Sequence, residues 1–123
     1  MRVFKNIWFA KFARKENINN KALLGIVDKL EEGHYDADLG GGVFKIRLAR
    51  SGEGKAGGYR IILYYKSNLR TVFAYGFSKS DRDNIEDDEL LAFKNRAKDI
   101  LSLTDEQINA RIKKGTLFEI LKR

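Results

Sequence analysis

Positively charged side chains are concentrated in one stretch of the chain, residues 43–66, which reads VFKIRLARSGEGKAGGYRIILYYK. Between Lys45 and Lys66 there are six basic residues and a single acidic residue, a net charge of +5 out of +7 for the whole chain. A cluster of this kind predicts binding to a polyanion, because lysine and arginine side chains attract phosphate groups. The basic residues are Lys45, Arg47, Arg50, Lys55, Arg60 and Lys66.

The residue types that are missing narrow the possible chemistry. The chain has no cysteine, which excludes thiolate nucleophiles, disulfides and cysteine metal sites. Its single histidine, His34, follows a predicted helix end, and we expect it to occupy a surface turn. The glycines around Lys55 match neither a Walker A loop nor a dinucleotide-binding fingerprint, because a strand follows Gly58. Cleavage of an RNA phosphodiester fits best, since the substrate's own 2′-hydroxyl can attack the phosphate without a metal.

In such a reaction the protein supplies electrostatics and proton transfer. The planar guanidinium of arginine matches two phosphate oxygens and can hold the charge that grows in a pentacovalent transition state. A lysine whose pKa is lowered by a neighbouring cation such as Arg47 can take the hydroxyl proton. No cofactor is expected.

Three consecutive strands are predicted to carry this basic stretch. Residues 43–48 alternate, with Phe44, Ile46 and Leu48 on one side and Lys45 and Arg47 on the other. Residues 59–65 and 70–78 are rich in aromatic and β-branched side chains, which is typical of strands inside a sheet.

Helices are predicted before and after these strands along the chain. Trp8, Phe9 and Phe12 follow a helical spacing and are expected in the core. A second helix spans residues 19–32 and is capped by Asn19. Another helix follows the acidic residues 81–89, and the last helix begins at a capping box formed by Thr104 and Gln107. The six carboxylates of residues 81–89 are explained by the positive end of the helix dipole, so no metal site is expected. With short strands at residues 2–5 and 116–121, the predicted order is β-α-α-β-β-β-α-α-β.

This order predicts an α+β fold, with helices packed on one face of a small, mostly antiparallel sheet and Lys45 and Arg47 on the other face. At 123 residues, 43% of them hydrophobic, the chain should form a single domain over residues 1–123, in which residues 104–123 add a helix and a strand. No apolar run is long enough to cross a bilayer, and no signal peptide is evident, so we expect a cytoplasmic protein.

The motifs of the basic stretch resemble those of a known family. The segment FKIRLARSGEGKAGGYRIILYY, followed by VFAYGFSKSDRDNI, is similar to the RelE/ParE superfamily of bacterial toxins, in particular to its HigB-like branch. The shared patterns are K-x-R, G-x-G-K-x-G-G-x-R and G-F-x-K, and the likeness extends from Ile18 to about Leu101.

The resemblance implies a RelE-like, microbial RNase-type fold and the toxin of a type II toxin–antitoxin pair. Such a toxin enters the ribosomal A site, cuts mRNA there and is silenced by a protein antitoxin. The implied catalytic residues are Lys45, Arg47, Arg60 and Lys79. Arg50, Lys55, Tyr64 and Arg82 are expected to bind RNA.

The sequence departs from the family at two positions, where Ser80 and Glu86 replace an arginine and a tyrosine of some ribosome-dependent members. The identity of the general acid is therefore open, and the candidates are Arg82, Tyr64 and Tyr75. Two alternatives are a ParE-like poison of DNA gyrase and an RNA-binding module without catalysis. A toxin with an incomplete catalytic set is a third. In each toxin reading the antitoxin should cover the basic face, and its binding should weaken as salt rises.

Overall fold

The computed structural model describes residues 1–49 and 58–122. These residues form four helices and six strands. The strands are β1 (Arg2–Asn6), β2 (Ala37–Gly40), β3 (Val43–Leu48), β4 (Tyr59–Lys66), β5 (Arg70–Ser78) and β6 (Leu117–Ile120). The helices are α1 (Ile7–Lys15), α2 (Asn20–Glu31), α3 (Asp87–Ser102) and α4 (Asp105–Lys114).

The six strands form one sheet in the order β2-β3-β4-β5-β1-β6. Only β1 and β5 are parallel among the described pairs, and the other neighbours are antiparallel. The α+β class and the mostly antiparallel sheet are therefore confirmed. The chain order contains one strand more than predicted, β2, which lies at the sheet edge. Its sequence ADLG is only four residues long and contains aspartate and glycine, which are depleted in strands, and its pairing with β3 shifts register between Asp38 and Gly40.

Helices cover both faces of the sheet, which corrects the prediction that they pack on one face. Side chains of α1 and α2, such as Phe9 and Leu23, share a buried cluster with Leu63 of β4. On the opposite face Ile62 packs with Phe93 and other residues of α3 and α4. The physical reason lies in β4, where every residue from Tyr59 to Tyr64 is buried. Because neighbouring strand residues point to opposite faces, both faces need an apolar cover.

The helix ends follow the capping signals in the sequence. Asn19 caps α2, with its side chain accepting a hydrogen bond from the Ala22 amide at 2.8 Å. Thr104 and Gln107 form the predicted capping box of α4. Gly115 ends that helix at a φ of +79°, in the left-handed region that glycine tolerates best.

A buried arginine joins the sheet to the end of α3. Arg70 begins β5 and is 2% exposed. Its Nη1 donates to the carbonyl oxygens of Ile100 and Leu103, both at 2.8 Å. Burial lowers the pKa of Arg70, and the nearby Asp105 carboxylate opposes that shift. Arg70 thus satisfies carbonyl groups that a helix end leaves without partners, and we assign it a structural role.

No described helix is long and apolar enough to cross a membrane.

Candidate functional site

Strand register places three of the predicted cations on one face of the sheet. Arg47 of β3 lies directly opposite Arg60 of β4, and Arg60 lies opposite Phe77 of β5. Side chains of directly paired residues share a face, as do residues two apart in one strand. Lys45 therefore joins Arg47 and Arg60 on the face that α3 and α4 cover further along.

Lys79 extends the same group from the end of β5. Its amide donates to the Gly58 carbonyl at 3.0 Å, so the β4–β5 pairing continues one residue beyond Ser78. Lys79 follows Phe77 by two positions, so its side chain lies on the same face of the sheet as that of Phe77. Its Nζ lies 3.3 Å from Asp83 Oδ1, but that carboxylate is 94% exposed and holds the ammonium only weakly.

The other cations differ in how they are held. Arg47 is half-exposed, with its Nε 3.5 Å from Asp36 Oδ2. Lys45 Nζ donates to Asn84 Oδ1 at 3.4 Å, a long hydrogen bond. Arg60 is only 7% exposed, and its Nη1 donates to the Tyr59 carbonyl at 3.4 Å. A positive charge held this far from bulk water is screened less than one at the open surface, so Arg60 can interact more strongly with an approaching phosphate.

Arg82 is tied into the structure beside this group and does not project freely into solvent. Its Nη2 and Nη1 contact the two carboxylate oxygens of Glu89 at 2.6 and 3.2 Å. Nη1 also donates to the Tyr75 hydroxyl at 3.1 Å, and the guanidinium lies over the Phe77 ring. Nε donates to the Asn84 carbonyl at 3.0 Å. Arg82 thus fastens the segment after β5 to the sheet and to α3, and its role as an RNA-binding residue stays a prediction.

The candidates for a general acid are also constrained. The Glu89 carboxylate raises the pKa of Arg82, which makes it a poor proton donor. Burial raises the pKa of Tyr64 to about 12, although the nearby Arg96 guanidinium opposes the rise. Tyr64 is 3% exposed in the core beneath α3, so its side chain has little surface to offer RNA, and its RNA-binding role stays a prediction. Tyr75 is half-buried, with its hydroxyl held by Arg82.

Other predicted positions are placed as follows. Arg50 and Lys55 lie outside the described residues. The Ser80 hydroxyl bonds with that of Ser78 at 2.7 Å, and Glu86 caps α3 in a box with Glu89. His34 lies exposed in the turn after α2, as expected.

The sequence did not reveal two features of this region. Asn84 was not singled out, because its contact with Lys45 joins residues 39 positions apart. Trp8 was expected in the core but is 43% exposed, because α1 directs Phe9 and Ala13 towards the sheet instead. The aromatic spacing marked an apolar helix face without fixing which ring would lie at its edge.

Within residues 1–49 and 58–122, no group of three or more histidine, aspartate or glutamate side chains is arranged to hold a metal ion.

The fold and this cationic face define a small basic α+β protein suited to binding a polyanion. The family model of the RelE toxin of the RelE/RelB toxin–antitoxin system matches residues 1–120. The chain therefore belongs to the RelE toxin family and is a toxin of a toxin–antitoxin system, which implies a cognate antitoxin as its partner. A comparison with curated protein sequences finds no match. The finer assignment to the HigB-like branch stays a prediction.

Proposed function

We propose that this toxin is a ribosome-dependent, metal-independent mRNA endonuclease that acts on translating ribosomes in the cytoplasm. The observation that carries the proposal is the placement of Lys45, Arg47, Arg60 and Lys79 on one side of three neighbouring strands. Such a surface can surround a phosphate from several directions. Membership of the RelE family supports the same activity.

The reaction that fits these side chains begins with the substrate's 2′-hydroxyl. Its oxygen forms a bond to the adjacent phosphorus while the bond from phosphorus to the 5′ oxygen breaks. The products are a 2′,3′-cyclic phosphate and a free 5′-hydroxyl. Arg60 and Arg47 stabilise the extra negative charge on the phosphate oxygens in the transition state.

Two proton transfers complete the step, and Lys45 and Lys79 are the lysines available on this face. A neutral amine accepts the proton of the 2′-hydroxyl, and an ammonium group donates one to the departing 5′ oxygen. Lysine suits the second role better than Arg82, which holds its proton too tightly, and better than Tyr64, which lies in the core. The antitoxin in this proposal covers the cationic face with acidic side chains.

Replacement of Arg60 tests the proposal. In a ribosome programmed with a defined mRNA, Arg60→Ala should lower the cleavage rate by about 10²- to 10³-fold, the typical loss of one transition-state donor. Arg60→Lys should retain part of the activity, because it keeps the charge but not the two-pronged geometry. Lys66→Ala is the matched control, since Lys66 is an exposed cation at the other end of β4. This substitution should leave the cleavage rate unchanged.

Because Arg60 is nearly buried, the folding of each variant should be checked by urea unfolding. If the wild-type toxin arrests growth while the translated message stays intact, the nuclease proposal is wrong. A gyrase supercoiling assay on the same protein then tests the ParE-like alternative. Equal cleavage by wild type and Arg60→Ala would remove Arg60 from the mechanism.

A further inference from the structure

A cavity of about 260 Å³ opens between the start of α1 and α3. The rings of Trp8 and Tyr75 line it, with their centroids 4.4 Å apart. Phe93, Arg96 and Glu89 of α3 contribute to the same lining, and the Glu89 carboxylate is paired with Arg82. The space is therefore lined by aromatic rings, with the Arg96 cation and a carboxylate that is already paired beside them.

The Trp8 ring is held in place although nearly half of it is exposed. It stacks on Phe12, with centroids 5.2 Å apart and planes inclined by 20°. Phe12 in turn packs against Gly76 so closely that a Cβ there would lie 2.6 Å from Cε2 of the ring. A tryptophan that is fixed by packing on neighbouring rings and is still partly exposed offers an apolar aromatic surface that loses little conformational freedom when a ligand binds.

The charged side chains that α1 places near Trp8 are all positive. The helix α1 carries Lys11, Arg14 and Lys15 and no acidic residue. Lys11 and Lys15 line a shallow depression together with Trp8 and Phe12. Cations around an exposed aromatic ring favour a ligand that combines a flat ring with negative charge, which is the chemistry of a nucleotide.

The aromatic surface leads to the cationic face. The Tyr75 ring lies 6.2 Å from the Phe77 ring between centroids, and Phe77 pairs directly with Arg60 across the strands. Arg82 bridges the two aromatic residues through the Tyr75 hydroxyl and the Phe77 ring face. A strand of RNA with one phosphate at Arg60 thus has Trp8 and Tyr75 within the reach of its neighbouring nucleotides.

We propose that Trp8 and Tyr75 form a stacking subsite for a base of the single-stranded RNA, next to the phosphate that Arg60 holds. The inference rests on the proposed RNA-cleaving function and names its base-binding subsite. Stacking on an aromatic ring tolerates any base, so this subsite contributes affinity and orientation with little sequence preference.

The chain offers its own reporter for the test, because Trp8 is the only tryptophan. The probe is a single-stranded RNA oligonucleotide with 2′-O-methyl groups, which can bind but cannot be cleaved through its 2′ oxygens. Titration should quench the tryptophan fluorescence with the same Kd as the anisotropy change of labelled RNA. The corresponding RNA duplex should quench it less, because its bases are already stacked and paired.

Substitutions separate stacking from packing. Trp8→Leu keeps apolar bulk without a ring and should weaken RNA binding by about 5- to 150-fold, the range for losing one stacked base. Trp8→Phe should fall between wild type and Trp8→Leu. Leu91→Ala is the control, since Leu91 is an exposed apolar residue of α3 and should bind RNA as wild type does. Thermal unfolding of each variant checks that the fold is retained.

Three outcomes overturn the inference. RNA binding without a change in Trp8 emission is the first, and equal affinity of wild type and Trp8→Leu is the second. The third is quenching by the antitoxin but not by RNA, which identifies a protein contact. In all three cases the cleavage assay with Arg60→Ala still judges the proposed function separately. If the wild-type toxin does not cleave mRNA, the subsite is still supported when fluorescence quenching and RNA binding give the same Kd. It is ruled out when the RNA does not bind.

Discussion

Replacing Arg82 by methionine should loosen the segment that follows β5 and carries Lys79. Arg82 and Glu89 form a two-pronged ion pair with distances of 2.6 and 3.2 Å. Glu89 Oε1 also accepts a hydrogen bond from the Glu86 amide at 2.8 Å, at the start of α3. Loss of Arg82 therefore affects both the loop between β5 and α3 and the first turn of the helix.

The size of the effect follows from burial and geometry. The Arg82 and Glu89 side chains are 29% and 32% exposed, so solvent screens part of their attraction. Fully exposed pairs contribute about 0.2–1 kcal/mol, and breaking a buried pair costs about 3–5 kcal/mol. A two-pronged contact of intermediate exposure should therefore have a coupling free energy of about 1–2 kcal/mol at neutral pH.

This coupling should disappear in acid. The Arg82 guanidinium holds the pKa of the Glu89 carboxyl below its ordinary value of 4.5. A carboxyl with a lowered folded-state pKa contributes stability that is complete above the unfolded-state pKa. That contribution is lost as the pH falls from 4.5 through the lowered pKa of the folded protein.

The assay is a double-mutant cycle with Arg82→Met, Glu89→Gln and the combined variant, measured by urea unfolding at neutral pH and below the pKa of Glu89. Arg111 and Asp99 provide a comparison cycle, because their contact is single, 3.3 Å long and more exposed, and it should show weaker coupling. Additive effects within about 0.3 kcal/mol for Arg82 and Glu89 at neutral pH would refute the reasoning. Arg82→Met should also slow mRNA cleavage, through displacement of Lys79.

Two further predictions concern packing and the antitoxin. Gly76→Ala should lower the free energy of unfolding by about 1–3 kcal/mol, because its Cβ would meet the Phe12 ring at 2.6 Å. Gly25→Ala in α2 meets nothing within 4 Å and should raise it by about 0.5–1 kcal/mol, and urea unfolding that reversed this order would contradict the packing around Phe12. The affinity of the cognate antitoxin should fall as salt rises, which calorimetry at several ionic strengths measures, and salt-independent binding would show that it does not cover the cationic face.

Local patterns in the sequence predicted much of the secondary structure. The alternation of residues 43–48 identified β3 and separated Lys45 and Arg47 from the apolar side chains between them. The capping residues Asn19 and Thr104 marked the starts of α2 and α4. These signals are readable because they act between residues only a few positions apart.

The sequence by itself therefore determined the α+β class, the strands that carry the cations and the absence of cysteine chemistry. Tertiary structure alone decided that Arg47 and Arg60 face each other, because pairing register depends on contacts between distant residues. It also placed helices over both sheet faces, drew Arg82 into a clamp with Glu89, buried Tyr64 and left Trp8 at the surface. Each of these outcomes depends on which side chains the folded chain brings together, and the local spacing of residues does not predict contacts between distant parts of the chain.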